Sequence, residues 1–156
     1  MISVSIPGFG ELRLEHLVTD YNGTLARDGK LLPRVAGLLR SLAQEIQIHV
    51  VTADTFGIAT KQLAGLPVEL KILPAESQAE AKAALVNKLG RQSVVAIGNG
   101  RNDWKMLKAA TLGIVVIQGE GAAAQTLAAT DVVTPDIQVA LELLQNVKRL
   151  KATLRS

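Results

Sequence analysis

A chain of 156 residues, 48% of them apolar, is long enough for one sizeable core and too hydrophobic to be disordered. A net charge of +3, from 17 basic and 14 acidic residues, does not argue for nucleic acid as a partner, and the scarcity of aromatic residues argues against base stacking on single strands: Phe9, Tyr21, Phe56 and Trp104 are all there are. The absence of cysteine excludes disulfides, thiolate metal sites and cysteine nucleophiles.

The first 16 residues lack the basic and long apolar regions of a secretory signal, and no apolar stretch is long enough to span a bilayer. A soluble, cytoplasmic protein with no membrane partner is the expectation. Lys148, Arg149, Lys151 and Arg155 cluster at the C-terminus, where they complement a helix dipole.

In chain order, residues 2–6 and 11–14 flank Pro7-Gly8-Phe9-Gly10 and predict a β-hairpin. Residues 16–20 predict the first core strand, and 29–33 a loop. A helix follows from Pro33 to about residue 44, with Val35, Leu38, Leu39 and Leu42 as its apolar stripe. Strands are predicted at 46–52, 68–72, 93–97, 112–117 and 131–133. Helices are predicted at 57–64, 76–89, 102–110, 121–129, 135–144 and from 147 onward. In the helix at 76–89, Ala79, Ala83, Leu85, Val86 and Leu89 are expected to face inward, with Gly90 as the stop. Short Val- and Ile-rich strands alternating with helices define an α/β class: a three-layer, doubly wound parallel sheet in a single domain over residues 1–156, with no sizeable cap.

Three strands end in polar residues: Asp20, Thr52, and Gly98-Asn99-Gly100 with Asp103 beyond. In a parallel sheet these ends share one edge, which is where ligands sit in open α/β folds. Asp20 taken alone reads more readily as a turn or cap residue; the convergence is what marks it.

Asp20-Tyr21-Asn22-Gly23-Thr24-Leu25, Val50-Val51-Thr52 and Gly98-Asn99-Gly100-Arg101-Asn102-Asp103 resemble, in that order, the first, second and fourth motifs of the haloacid dehalogenase-like superfamily of phosphatases and phosphotransferases. The phrases Asn-Gly-Thr-Leu, Thr-Ala-Asp and Gly-Asn-Gly-Arg-Asn-Asp look most like the phosphorylation domain of P-type ATPases, here as a free-standing soluble protein. The resemblance covers about residues 14–135 and leaves the N-terminal hairpin outside. It implies a Mg²⁺-dependent phosphohydrolase or phosphotransferase in which Asp20 attacks phosphorus and becomes an aspartyl-phosphate. It implies Mg²⁺ ligation by Asp20, the Asn22 carbonyl and the fourth motif, Asn99 or Asp103. Thr52 and backbone groups around Tyr21, Gly23 and Ala53 would hold the phosphoryl oxygens, and a lysine would pair with them. The substrate class is a small phosphorylated compound or a nucleotide. A capless member is expected to restrict access by forming a dimer or tetramer, with Trp104 and the hairpin as interface elements.

Three departures qualify this reading. Asn22 stands where family phosphatases usually carry a second aspartate as general acid and base, and an amide does neither. Asn99 replaces a metal-binding aspartate, which leaves Asp103 as the carboxylate expected in the metal shell, directly or through water. No lysine stands at Ser77 or Gln78, the usual position. Lys82, one helical turn on, is the candidate, with a solvated surface lysine as the equal alternative; Lys61 is a weaker one. Asp54 is either a contact of the metal shell or a helix cap. Arg27 and Arg101 are candidates for substrate phosphate, although solvated arginines are the simpler reading. Gly119-Glu120-Gly121-Ala122-Ala123-Ala124 has the form of a dinucleotide loop but reads more simply as a tight strand-to-helix turn. His16 and His49 have no ligand spacing and read as structural. The alternative function is a catalytically impaired regulatory or binding module, with Asn22 and Asn99 as the marks of lost chemistry.

Overall fold

The computed structural model describes residues 1–156. Strands β1 (Ile2–Ile6) and β2 (Gly10–Leu14) pair antiparallel, with Ile2 opposite Leu14. Alternation puts Ile2, Ile6, Leu12 and Leu14 on one face, and all four are buried in the main core. The hairpin is thus part of the packed body, and only the face bearing Ser3, Ser5 and Arg13 is left to solvent.

Strand β3 (His16–Asp20) follows, then a two-residue antiparallel pair, β4 (Ala26–Arg27) and β5 (Lys30–Leu31), where the sequence predicts a plain loop. The rest alternates: α1 (Val35–Leu42), β6 (Gln47–Thr52), α2 (Ile58–Gln62), β7 (Glu69–Ile72), α3 (Gln78–Leu89), β8 (Val94–Gly98), a 3₁₀ turn at Arg101–Asp103, α4 (Trp104–Ala109), β9 (Leu112–Val116), α5 (Ala124–Ala128), β10 (Val132–Thr134), α6 (Ile137–Gln145) and α7 (Val147–Leu154). The hairpin packs on α7, and the Ser156 amide donates to the Pro7 carbonyl.

The six core strands form one parallel sheet in the order β10-β9-β8-β3-β6-β7. The α/β three-layer class read from the sequence is the architecture observed. Helices α1 and α6 and the hairpin bury Val35, Leu39, Leu42, Ala140, Leu141 and Leu144 on one face. Helices α3 and α4 bury Val86, Met106 and Leu107 on the other. The chain winds from β3 to β6 and β7 on one side, then returns to β8, β9 and β10 on the other. β3 is therefore the switch point, and the crevice lies beyond its C-terminal end.

Helix α3 departs from its expected packing. Of its apolar residues only Val86 is fully buried, and the position one turn before it, Lys82, shares that burial. A lysine buried on the inner face of a helix needs partners, and these lie at the sheet edge.

Candidate active site

Register fixes the frame. Thr19 of β3 pairs with Ile97 of β8, and Asp20 pairs with Val51 of β6. One residue further along, Thr52 and Gly98-Asn99 stand on either side of Asp20. The three strand ends open into a cleft of about 600 Å³ lined by Asp20, Asn22, Thr52, Ala53, Lys82, Asn99, Arg101 and Glu120 among others.

Beyond Asp20 the backbone turns sharply. The Tyr21 carbonyl accepts the amides of Thr24, Leu25 and Ala26, and Gly23 takes φ +77°, a left-handed conformation that favours glycine. The Tyr21 side chain is buried, and its hydroxyl donates to the Gly29 carbonyl at 2.8 Å. Only its backbone is therefore available to a ligand. Burial, aided by Asp54, pushes the Tyr21 hydroxyl up to about 12, so it stays protonated. Asn22 is exposed within the cleft. The Thr52 hydroxyl accepts the Asp54 amide at 3.2 Å, which leaves its own proton free to donate.

Lys82 reaches this edge from α3 and is 1% exposed. Its ammonium donates to Asp20 Oδ1 at 2.9 Å and to Asp103 Oδ1 at 2.7 Å. Burial works against its charge, but the two carboxylates outweigh burial and its pKa stands above the ordinary lysine value. Asp20 responds the other way. Burial, then the Asp103 charge, push its carboxyl up to about 7 against the pull of Lys82.

Asp103 has both oxygens engaged: Oδ1 with Lys82, and Oδ2 with the amides of Asn99 (3.0 Å) and Gly100 (2.9 Å). It is fully buried and does not line the cleft. Its oxygens are committed to Lys82 and to the loop at 98–103. Gly98 makes this possible, because a Cβ there would lie 2.6 Å from the Asp103 carboxylate. The Asn99 Oδ1 accepts from Thr24 at 3.3 Å, and its Nδ2 donates to the Gly121 carbonyl at 3.1 Å.

The remaining candidates separate. Arg101 lines the cleft. Lys61 is exposed on α2 and Arg27 lies against Gly119, both outside the cleft lining. Asp54 caps α2: its carboxylate accepts the amides of Ala59 (2.8 Å) and Thr60 (3.1 Å) and the Thr60 hydroxyl (2.7 Å). His16 and His49 face each other at 3.2 Å at the opposite end of the sheet. Two residues with no role in the sequence reading join the site. Gln118 Nε2 donates to the carbonyls of Gly23 (3.0 Å) and Thr24 (2.9 Å), and Glu120 enters the cleft. A glutamine and a glutamate after a strand carry no signal of this in sequence.

No three His, Cys, Asp or Glu side chains gather closely enough to cage a metal by themselves. The groups facing the cleft suit a cation that needs fewer. Asp20 uses Oδ1 for Lys82, Asn99 Oδ1 accepts a single hydrogen bond, and Asn22 is open to the cleft. Oxygen donors with one or two carboxylates, completed by water, are what Mg²⁺ takes.

Residues 77–138 match the family of haloacid dehalogenase-like hydrolases. The uncharacterized protein MJ0073 of Methanocaldococcus jannaschii is 46% identical over 83 residues, covering 51% of this chain and 89% of that protein. The 3-deoxy-D-manno-octulosonate 8-phosphate phosphatase of Moraxella catarrhalis, solved with magnesium and phosphate ions, superposes with a TM-score of 0.71 at 20% identity, over 91% of this chain and 94% of that one. A zinc-transporting PIB-type ATPase gives a TM-score of 0.58 at 26% identity, over 79% of this chain and 20% of that one. Residues 77–138 thus carry the signature of haloacid dehalogenase-like hydrolases, and the chain as a whole has the fold of the solved members of that superfamily. No helix is long and apolar enough to cross a membrane.

Proposed function

We propose that the chain is a Mg²⁺-dependent phosphohydrolase or phosphotransferase that works through an aspartyl-phosphate on Asp20. The observation that carries this reading is the Asp20–Lys82 contact at the open end of the switch-point strand. A carboxylate oxygen of Asp20 attacks phosphorus, and the bond from phosphorus to the leaving oxygen breaks, its electron pair going to that oxygen. Lys82 holds the attacking carboxylate in place and offsets charge on the transferred group. The Thr52 hydroxyl and backbone amides near Tyr21, Gly23 and Ala53 hold the phosphoryl oxygens. Asp20, the Asn22 carbonyl and Asn99 would hold a Mg²⁺ ion, which when bound would supply the positive charge that lets two anions meet. Asp103 acts from behind, fixing Lys82 and the loop at 98–103.

Asn22 can neither protonate a leaving alcohol nor take a proton from water. Leaving groups that need no proton, such as a nucleoside diphosphate or a carboxylate, are therefore favoured, and the phosphorylated Asp20 is long-lived. The substrate class is a small phosphorylated compound or nucleotide, in keeping with the phosphatase and ATPase relatives. A cytoplasmic dimer or tetramer belongs to the same reading, and light scattering giving a mass near 16.5 kDa would overturn the oligomer.

The test incubates the protein with Mg²⁺ and acetyl phosphate, ATP or p-nitrophenyl phosphate. It follows phosphate release and an acid-stable, hydroxylamine-sensitive phosphoprotein, both expected to vanish in Asp20→Asn. Neither signal with any donor would instead support the binding module, for which the amides at 22 and 99 are the specific observation.

A further inference from the structure

The cleft lacks acids at Asn22 and Asn99, yet it contains one carboxylate that the mechanism leaves unused. Glu120 lies between β9 and α5, at the tip of the turn Gly119-Glu120-Gly121, where Gly121 takes φ +70°. This turn is clamped from both sides. Gln118 Nε2 donates to the Gly23 and Thr24 carbonyls at 3.0 and 2.9 Å. Asn99 Nδ2 donates to the Gly121 carbonyl at 3.1 Å, and the Ala123 amide donates to the Asn99 carbonyl at 2.9 Å. The clamps belong to the two segments that carry the missing acids.

The Glu120 side chain leans over Gly23. A Cβ at residue 23 would lie 2.3 Å from Glu120 Oε2 and 2.7 Å from the Asn99 amide nitrogen, so one methyl group placed there would collide with both. Glycine at 23 is what lets the carboxylate and the amide close over the loop beside Asp20. Charge accounting points the same way. Lys82 and Asp103 neutralise each other, which leaves Asp20 as one negative charge for a divalent cation. With Glu120 two carboxylates face the cleft, against the single guanidinium of Arg101 at its rim.

We infer that Glu120 supplies the anionic oxygen that Asn99 lacks, holding the water shell of the divalent cation over Asp20. This rests on the reading of the cleft as a Mg²⁺ site. Mg²⁺ retains several waters when bound, so a carboxylate at the rim acts without direct ligation, much as outer-shell partners tune other metal sites.

The experiment reads binding without substrate: calorimetric titration with Mg²⁺, and Mn²⁺ binding followed by electron paramagnetic resonance. Wild type, Glu120→Gln, Glu120→Asp and Asp20→Asn are compared, with thermal melts as a folding control. Glu120→Gln is expected to weaken cation affinity roughly 10-fold or more at unchanged melting temperature, and Glu120→Asp to regain most of it. Equal affinity in Glu120→Gln and wild type, with affinity lost in Asp20→Asn, overturns the role of Glu120 and leaves the site reading standing. A wild type that binds neither ion at millimolar concentration overturns both.

Discussion

The Lys82 ammonium lies 2.9 Å from the Asp20 carboxylate, sixty-two residues away in the chain, and both side chains are buried. A buried ammonium is held by its carboxylate partners, here Asp20 and Asp103, because nothing else there can solvate its charge.

Lys82→Met is therefore expected to do two things. It leaves Asp20 and Asp103 as buried carboxylates without a cation, which costs about 3 kcal/mol or more and lowers the melting temperature by roughly 6–12 °C for a chain of this size. It also removes the charge beside the attacking carboxylate, so phosphoprotein formation falls on the order of 100-fold or more. Calorimetry and a radiolabelled phosphorylation assay check the two separately. A variant with native stability would show that Lys82 is a solvated side chain after all.

The raised pKa of Asp20 has a consequence for stability in metal-free solution. Burial, then Asp103, lift its carboxyl from 3.8 to about 7 in the fold. Stability from this group is intact below the ordinary carboxyl value. It declines as the pH climbs toward 7 and is gone above it. Asp20→Asn carries no such loss. With EDTA present, its melting temperature should rise above that of wild type by roughly 3–8 °C at pH 8, and the difference should shrink steadily toward pH 5. A difference that stays constant with pH would contradict the raised pKa.

Asn22→Asp tests what limits turnover. A carboxyl group restored at the exposed position beside Asp20 should raise hydrolysis of p-nitrophenyl phosphate and of alkyl phosphates about 10- to 100-fold, the alkyl esters more, since alkoxides need the proton. Phosphoprotein lifetime should shorten in parallel. Unchanged rates for both would place the limit elsewhere.

At the far end of the sheet, burial, together with the neighbouring His16 and Lys71, lowers the pKa of His49 despite Glu69. Its Nδ1 is buried 3.4 Å from the Glu69 carboxylate, out of line for a hydrogen bond. The unfolded chain takes up this proton more readily than the fold. His49 thus contributes stability above its ordinary pKa of 6.5, and that contribution is lost as the pH falls. His49→Gln keeps a donor toward His16 without the titration, and its melting temperature should fall less steeply than that of wild type between pH 6.5 and 5.

Much of the site's frame is written in short-range pattern. Asp20, Thr52 and Asn99 each end an apolar strand, and parallel pairing obliges those ends to share an edge. Lys82 is harder to place. Spacing from Gly90 points to Ser77 or Gln78, and although Lys82 lies on the apolar stripe of α3, one turn before Val86, a long lysine stem there reads as easily as a solvated side chain. What puts Lys82 inward is a pair of carboxylates on other elements, a relation between distant residues that periodicity does not encode. The same holds for Asp103, whose commitment to the amides of Asn99 and Gly100 depends on Gly98 having no side chain. Gln118 and Glu120 leave no trace in the sequence because their partners are backbone carbonyls and open space. The hairpin misleads for another reason: alternation shows that one face is apolar, not what covers it.

Asn99 carries a consequence of its own. Its amide accepts from Thr24 and donates to Gly121, so one side chain latches the loop after β3 to the turn after β9. A carboxylate accepts at both oxygens and donates at neither. With an aspartate in its place the Gly121 carbonyl would face a negative oxygen, and the latch would spring. The amide at this position therefore exchanges charge for rigidity: it gives up an anion at the cation's side and gains a fixed perch for Glu120. Substitution of Asn99 alone, in either direction, disturbs both at once.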